Sequence, residues 1–131
     1  MPRLEAVTAV VAPEPPLDCP ICPRLVAYRE ANRAAHPEWF NGPAPSFGDP
    51  DARLAVVGLA PGRTGANRTG RPFTGDHAGV LLYETLIRTG FARGRYEARP
   101  DDGLELVDCM MRLVAISTRS VSYTHLTLPT N

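Results

Sequence analysis

Between Gly58 and Asp76 the chain carries five glycines, Arg63, Arg68, Arg71, Asn67 and Phe73, with no acidic residue before Asp76 itself. Glycines let a backbone approach a ligand closely and adopt positive φ, exposing amide N–H groups. Arginines without acidic neighbours make a segment locally electropositive and suited to phosphates. Phe73, held by Pro72, can present an aromatic face to a flat base. Asp76 stands where a helix N-cap belongs. The residues alone leave two readings open: a loop that meets a phosphorylated or planar ligand, and a generic anion-binding or merely solvated connection. The Gly-x-x-x-x-Gly-Lys-Ser/Thr pattern is missing, which speaks against a nucleotide-hydrolysing phosphate loop.

A second set of reactive groups is Cys19-Pro-Ile-Cys22. This spacing reads as half of a metal or cluster site, and zinc and redox sites use it too. Three cysteines in all do not make a secreted disulfide scaffold. The third, Cys109, reads as a small buried residue.

The elements that position these groups follow from local patterning. Residues 1–16 end in Pro13-Glu-Pro-Pro16 and read as a loose arm. Pro23 suits a first helical position, and Leu25, Val26, Tyr28 and Arg29 follow within two turns. Residues 37–50 read as a loop, with Trp39, Phe40 and Phe47 as packing anchors. Leu54-Ala-Val-Val-Gly58 is short and continuously apolar, as a parallel strand buried on both faces would be. The glycine-rich loop then delivers the chain to a helix from about Asp76 to Thr89, with Val80, Tyr83, Leu86 and Ile87 at helical spacing and Gly90 placed to end it. Leu104-Glu-Leu-Val-Asp-Cys109 alternates like the next strand. Strand, helix, strand implies a right-handed βαβ unit of an α/β sheet, and puts the loop beyond the carboxyl end of a strand, where ligands of such sheets bind.

Composition narrows the classes. The 14 basic and 14 acidic residues balance, so any affinity for nucleic acid must rest on local patches. No apolar run approaches the roughly 20 residues of a membrane span, and the stretch Ala6–Ala12, flanked by Glu5 and Glu14, is no signal-peptide core. The expected setting is the cytoplasm.

The segments Gly58-Leu-Ala-Pro-Gly62 and Gly65-Ala-Asn-Arg-Thr-Gly-Arg-Pro-Phe-Thr-Gly-Asp76 closely resemble the first signature motif of the family-five, iron–sulfur uracil-DNA glycosylases. Cys19-Pro-Ile-Cys-Pro-Arg-Leu-Val-Ala-Tyr-Arg-Glu30 is similar to that family's N-terminal cluster motif, and Pro45-Ser-Phe-Gly-Asp-Pro50 to the approach to its first strand. The resemblance runs from about Cys19 to Cys109 and implies the N-terminal half of a three-layer α/β/α fold around a mainly parallel sheet, occupying residues 17–119.

It also implies roles. Such enzymes flip a deaminated base out of DNA and hydrolyse its N-glycosidic bond, and extrusion is cheapest for a mismatched base. By similarity, Gly58, Leu59, Ala60 and Gly62 contact the flipped base, with Asn67 beside them, and Phe73 stacks on it. Asp76 matches the family's catalytic carboxylate, an anion suited to stabilise the positively charged sugar or to orient the attacking water. Arg63, Arg68 and Arg71 are the expected DNA contacts, with loop-holding as the other role open to Asn67, Arg68 and Arg71. Cys19 and Cys22 are the first two thiolate ligands of a 4Fe-4S cluster, which needs four. The implied partner is uracil-containing DNA, and the implied state a monomer.

Three departures qualify this. After Met110 the chain reads Met111-Arg-Leu-Val-Ala-Ile-Ser-Thr-Arg119 where the family's asparagine-to-cysteine stretch is expected. The remaining cluster cysteines and the second, histidine-bearing motif have no counterpart, and His77 beside Asp76 does not replace it. Ser120–Asn131 reads as a translated sequencing adapter, so His125 carries no functional weight. The chain as written is therefore expected to be inactive. Two alternatives stand beside this reading: a small zinc-binding module built on the cysteines, and a type-four uracil-DNA glycosylase, against which the Gly65-Ala-Asn-Arg-Thr-Gly-Arg71 insertion before Pro72 speaks.

Overall fold

The computed structural model describes residues 14–114, so most of the N-terminal arm and the segment read as adapter lie outside the described residues. In chain order the elements are α1 (Pro23–Ala35), β1 (Phe47–Gly48), β2 (Leu54–Gly58), a single turn α2 (Ala66–Thr69), α3 (His77–Thr89), β3 (Ala92–Arg93), β4 (Glu105–Leu106) and β5 (Cys109–Leu113).

Capping chemistry sets both ends of α3. The Asp76 carboxylate accepts the Gly79 amide at 2.8 Å, and Gly90 closes the helix in the left-handed region at φ 83°. One side of α3 buries Tyr83 and Leu86, with Leu82 and Ile87 partly covered against the same cluster. Val80, expected on that side, is instead 41% exposed. The helix is the crossover between β2 and β5, which pair in parallel from Leu54 opposite Cys109 to Gly58 opposite Leu113. The short β1 adds antiparallel on the other edge of β5, giving the order β1-β5-β2. The chain thus has an α/β fold, with a βαβ unit whose strands are parallel.

The core collects Tyr83, Leu86, Ala92, Leu104, Cys109 and Met111, against which Phe47, Leu54, Val56 and Phe73 pack. Each large side chain taken fully out of water there contributes roughly 1.5–3 kcal/mol. Of the three aromatic anchors expected between residues 37 and 50, Phe47 reaches this core. Trp39 stacks on His36 at 3.9 Å between ring centroids, while Phe40 packs against Gly70.

Two expectations for the strands are corrected. Leu104–Cys109 is not one strand: Asp108, at φ 51°, breaks the run. The residues before it, Glu105 and Leu106, pair with β3, and the strand beside β2 begins only at Cys109. Nor is β2 buried on both faces. Leu54 and Val56 are half-buried against the α3 side, whereas Ala55 is exposed and Val57 is 62% exposed. The alternation arises because, among the described residues, the sheet is covered on one face. Met111 and Leu113, within the tract that departs from the family pattern, are buried strand residues.

Candidate active site

The loop from Leu59 to Asp76 folds over the carboxyl end of β2 and encloses a cavity of about 320 Å³. Gly58 to Gly62 form one wall, Phe73 to Asp76 another, and Leu113 of β5 closes the base. A cavity of this size lies at the small end of the range for ligand sites.

The loop is held by internal bonds. Asn67 is 2% exposed; its amide donates to the Asn41 side-chain oxygen at 3.1 Å and to the Arg63 carbonyl at 3.3 Å. Its backbone N–H reaches the Gly62 carbonyl at 3.1 Å. The Thr69 and Thr74 hydroxyls meet at 2.6 Å, and Thr74 Oγ1 also donates to the Arg71 carbonyl at 2.9 Å. The side chain expected to touch the base therefore braces the loop from within. The α2 turn that carries Asn67 escaped sequence reasoning because four residues show no period.

Phe73 sits in the left-handed region at φ 57°, a conformation that costs a non-glycine residue of order 1–3 kcal/mol and persists only where neighbours fix it. Here they do. The Pro72 carbonyl before it accepts the Tyr83 hydroxyl at 2.7 Å, and its own carbonyl lies against Gly79. Its ring rests on Gly58, where an added Cβ would come within 2.8 Å of Phe73 Cζ and 2.7 Å of Leu113 Cδ2. Glycine at position 58 is thus a packing requirement of the ring that lines the cavity.

Asp76 is exposed and faces two spaces at once: the cavity just described, and a shallower one it lines with His77, Val80, Tyr96 and Ala98. Its Oδ1 takes the Gly79 N–H, and the positive end of α3 favours its charge. Gly58, Leu59, Ala60, Gly62, Phe73 and Asp76 therefore meet around one space.

The three arginines part company. Arg68 is exposed beside a separate groove lined by Trp39, Phe40 and Arg99. Arg63 is held back toward α1, its Nε donating to Asn32 Oδ1 at 2.9 Å and its guanidinium lying 5.2 Å from the Trp39 ring. Arg71 does not face solvent at all, a correction to its expected contact with DNA. Its side chain is 4% exposed and grips the Asp102 side chain, which is 0% exposed, through two bonds of 2.8 and 2.6 Å. The guanidinium bonds, together with the Glu97 and Leu104 amides, hold Asp102 well below the usual carboxylate range, against the opposing effect of burial. Burial disfavours the charge on Arg71, but the bonds to Asp102, with Tyr83 and Tyr96 beside it, outweigh that effect, so its pKa is raised. Sequence windows missed this pair because its members stand 31 residues apart.

Cys19 is half-buried in a turn, and Cys22 is exposed at the N-cap of α1. The Arg29 guanidinium fixes the turn by donating to the Cys19 carbonyl at 3.1 Å. Two accessible thiols in one short turn suit the start of a thiolate site, but among the described residues no group of three or more metal-binding side chains comes together. Cys109 is fully buried in β5, with burial first and Asp108 second pushing its thiol pKa up, so it offers no third ligand. No helix among the described residues is long and apolar enough to cross a membrane.

Known proteins bear on this geometry. The chain is 50% identical over 94 residues to a type-5 uracil-DNA glycosylase of Thermus thermophilus, an overlap of 67% of this chain and 42% of that protein. It is 42% identical over 94 residues to one from Pyrobaculum aerophilum, covering 69% of this chain and 42% of the relative. A third, from Mycobacterium bovis, is 44% identical over 92 residues, which is 66% of this chain and 34% of that protein. The chain spans between about a third and two-fifths of the length of these relatives. A model of the uracil DNA glycosylase superfamily matches residues 45–118, which include β1, the cavity loop, α3 and β5. With that match over more than half its length, and with the matched residues building a loop that lines a strand-end cavity beside a capped carboxylate, the chain belongs to the uracil DNA glycosylase superfamily.

Proposed function

We propose that this domain excises uracil from DNA by hydrolysing its N-glycosidic bond, with the cavity at the end of β2 as the base pocket. The observation that carries the reading is the position of Asp76: its carboxylate is fixed by the Gly79 amide at the rim of a cavity whose opposite wall is the Gly58–Gly62 backbone. A base flipped out of the duplex enters between that wall and the Phe73 ring, where an aromatic face offers stacking worth about 1–3 kcal/mol. As the glycosidic bond breaks, its electrons leave with the base and positive charge grows on the sugar. Asp76, fixed at a helix N-terminus, stabilises that charge and orients the water whose oxygen bonds to the anomeric carbon. The water's proton ends on the departing base.

Cys19 and Cys22 are proposed as two of four ligands of a 4Fe-4S cluster, whose part is to fix the N-terminal segment; this sequence holds one further cysteine, the buried Cys109, and so does not supply the other two. The exposed Arg68 is the arginine of the loop best placed to meet a DNA phosphate. The proposed setting is the cytoplasm, as a monomer acting on uracil-containing DNA.

The test is excision from a uracil-containing oligonucleotide by the full-length protein, read as alkali-sensitive abasic product. Asp76→Asn keeps the cap and is expected to lose at least about 10²-fold in single-turnover rate, the size of effect typical of such electrostatic groups. A variant as fast as the parent, or a parent that leaves uracil in place, would overturn the reading.

A further inference from the structure

Arg71 and Asp102 form an ion pair that the proposed chemistry does not use, and its construction is out of proportion to a surface tether. Both guanidinium prongs are engaged, Nη1 on Oδ1 at 2.8 Å and Nη2 on Oδ2 at 2.6 Å. Three rings enclose the cation, with Phe47 and Tyr83 centred 5.2 Å and Tyr96 5.6 Å from it. Tyr83 and Tyr96 stack on one another at 4.4 Å. Asp102 spends its remaining capacity on the Glu97 and Leu104 amides, at 2.9 and 3.0 Å, so it is anchored to the segment that follows β3.

A buried pair of this kind is weak evidence for stability, since apolar residues of similar volume often serve a core equally well. What a two-pronged pair supplies that apolar contact does not is a fixed orientation. The residues whose orientation depends on it follow directly. Pro72 is held at its carbonyl by Tyr83, a wall of the box around Arg71; Phe73 is kept in the left-handed region; Asp76 lies five positions on from Arg71. The Arg71 carbonyl is itself tied by the Thr74 hydroxyl at 2.9 Å, so side chain and backbone of one residue are both committed.

We propose that Arg71 and Asp102 are positioning residues, a clamp that sets the Phe73 ring and the Asp76 carboxylate against the base pocket. This rests on the reading of that pocket given above, and it extends the site to Asp102, a residue 31 positions beyond Arg71 that lines neither space beside Asp76. The clamp acts on the rate of the chemical step and not on the capture of DNA.

The experiment uses the full-length protein with 4-fluorophenylalanine at position 73, and compares it with Arg71→Met/Asp102→Leu and with Arg71→Lys. The double variant replaces both charges with apolar groups and so keeps the core filled. Arg71→Lys keeps the charge and removes the fork, and serves in place of the double variant should that fail to fold. The expected result is a broadened or shifted fluorine resonance. Alongside it, single-turnover excision falls by about 10²-fold, the penalty associated with misplacement near 1 Å. Affinity for uracil-containing DNA stays within the range of the parent. A folded variant with a sharp resonance at the parental position and parental rate overturns the clamp while leaving the base pocket intact. If the parent protein excises nothing, the reading of the pocket fails by itself, and the fluorine resonance alone decides whether the pair positions Phe73.

Discussion

Gly79→Ala sets two physical effects against each other at one atom. Gly79 lies in the first turn of α3, with helical backbone and no positive φ. Alanine in a helix is favoured over glycine by about 0.8–1.0 kcal/mol, so propensity alone makes the substitution stabilising. The structure opposes this. A Cβ at position 79 would overlap the Phe73 carbonyl oxygen, stand 3.0 Å from its carbon and 3.3 Å from Asp76 Oδ1. The obstacle is backbone, and that backbone is held by Tyr83 through the Pro72 carbonyl and by the left-handed turn at Phe73. Overpacking against atoms that cannot swing aside costs about 1–3 kcal/mol, which outweighs the gain in propensity and leaves a net loss of about 0–2 kcal/mol. Relief requires moving Phe73 away from α3, and the shift is passed to the cavity wall. Urea unfolding of the full-length protein measures the first effect through the midpoint at constant slope, and single-turnover uracil excision measures the second. Expected are a midpoint at or below that of the parent and a rate lower by tenfold or more, the latter corresponding to about 1.4 kcal/mol in the barrier. A variant about 1 kcal/mol more stable and equally fast would show that Phe73 does not rest on α3 as described, and the account of the cavity wall would go with it.

Further substitutions probe the remaining links. Asp76→Ala removes the cap as well as the carboxylate and is expected to lower stability by about 0.5–2 kcal/mol, whereas Asp76→Asn holds stability nearly level; denaturant curves of the two, side by side, separate capping from chemistry. Asp102→Asn leaves the buried Arg71 charge unpaired, and is expected to lower stability at neutral pH by about 3–5 kcal/mol. Because folding depresses the Asp102 pKa, its contribution is fully present above the unfolded value near 4 and is lost as pH falls toward the folded value. The gap between parent and Asp102→Asn in thermal midpoint should therefore be constant from about pH 5 to 8 and narrow below about pH 4; a gap that widens in acid would contradict the sign. Cys19→Ser and Cys22→Ser in the full-length protein should each reduce bound iron and the broad visible absorbance of a cluster, while Cys109→Ala leaves both unchanged. Loss of iron only on Cys109→Ala would reverse the ligand assignment.

What could be read from the chain was what is decided locally. The ends of α3 were legible because a capping aspartate and a left-handed glycine act within one turn of themselves. The cavity residues were legible because a glycine-rich loop after an apolar strand has few other places to go. The start of β5 was not, since Leu104–Cys109 alternates as well as any strand and nothing nearby announces that Asp108 turns left-handed. Its reason is 55 residues away: the Asp108 carboxylate accepts the Arg53 amide at 2.9 Å, and its carbonyl accepts that of Leu54, which docks β2 beside Cys109. The misjudged burial of β2 has another origin, because hydrophobicity reports what a strand prefers and not which neighbours are present to cover it. Arg71 failed for the same reason as Asp108. A window around the loop sees three uncompensated cations, and only the fold brings Asp102 to one of them.

On the proposed function, the first turn of α3 joins stability and chemistry in a way that neither cap nor catalyst explains alone. A capping bond occupies Oδ1 of Asp76, and among the described residues no other hydrogen bond takes Oδ2. The cap therefore limits the rotational freedom of the carboxylate while leaving one oxygen without a hydrogen bond among the described residues, which, on the proposed function, is what electrostatic preorganisation requires. The donor of that bond is the same Gly79 whose missing side chain admits the Phe73 carbonyl. One residue thus fixes the anion through its amide and the aromatic wall through its bare Cα. Asp76 could be exchanged for any good cap, and Gly79 for any good helix former, only in a helix whose start had nothing to position.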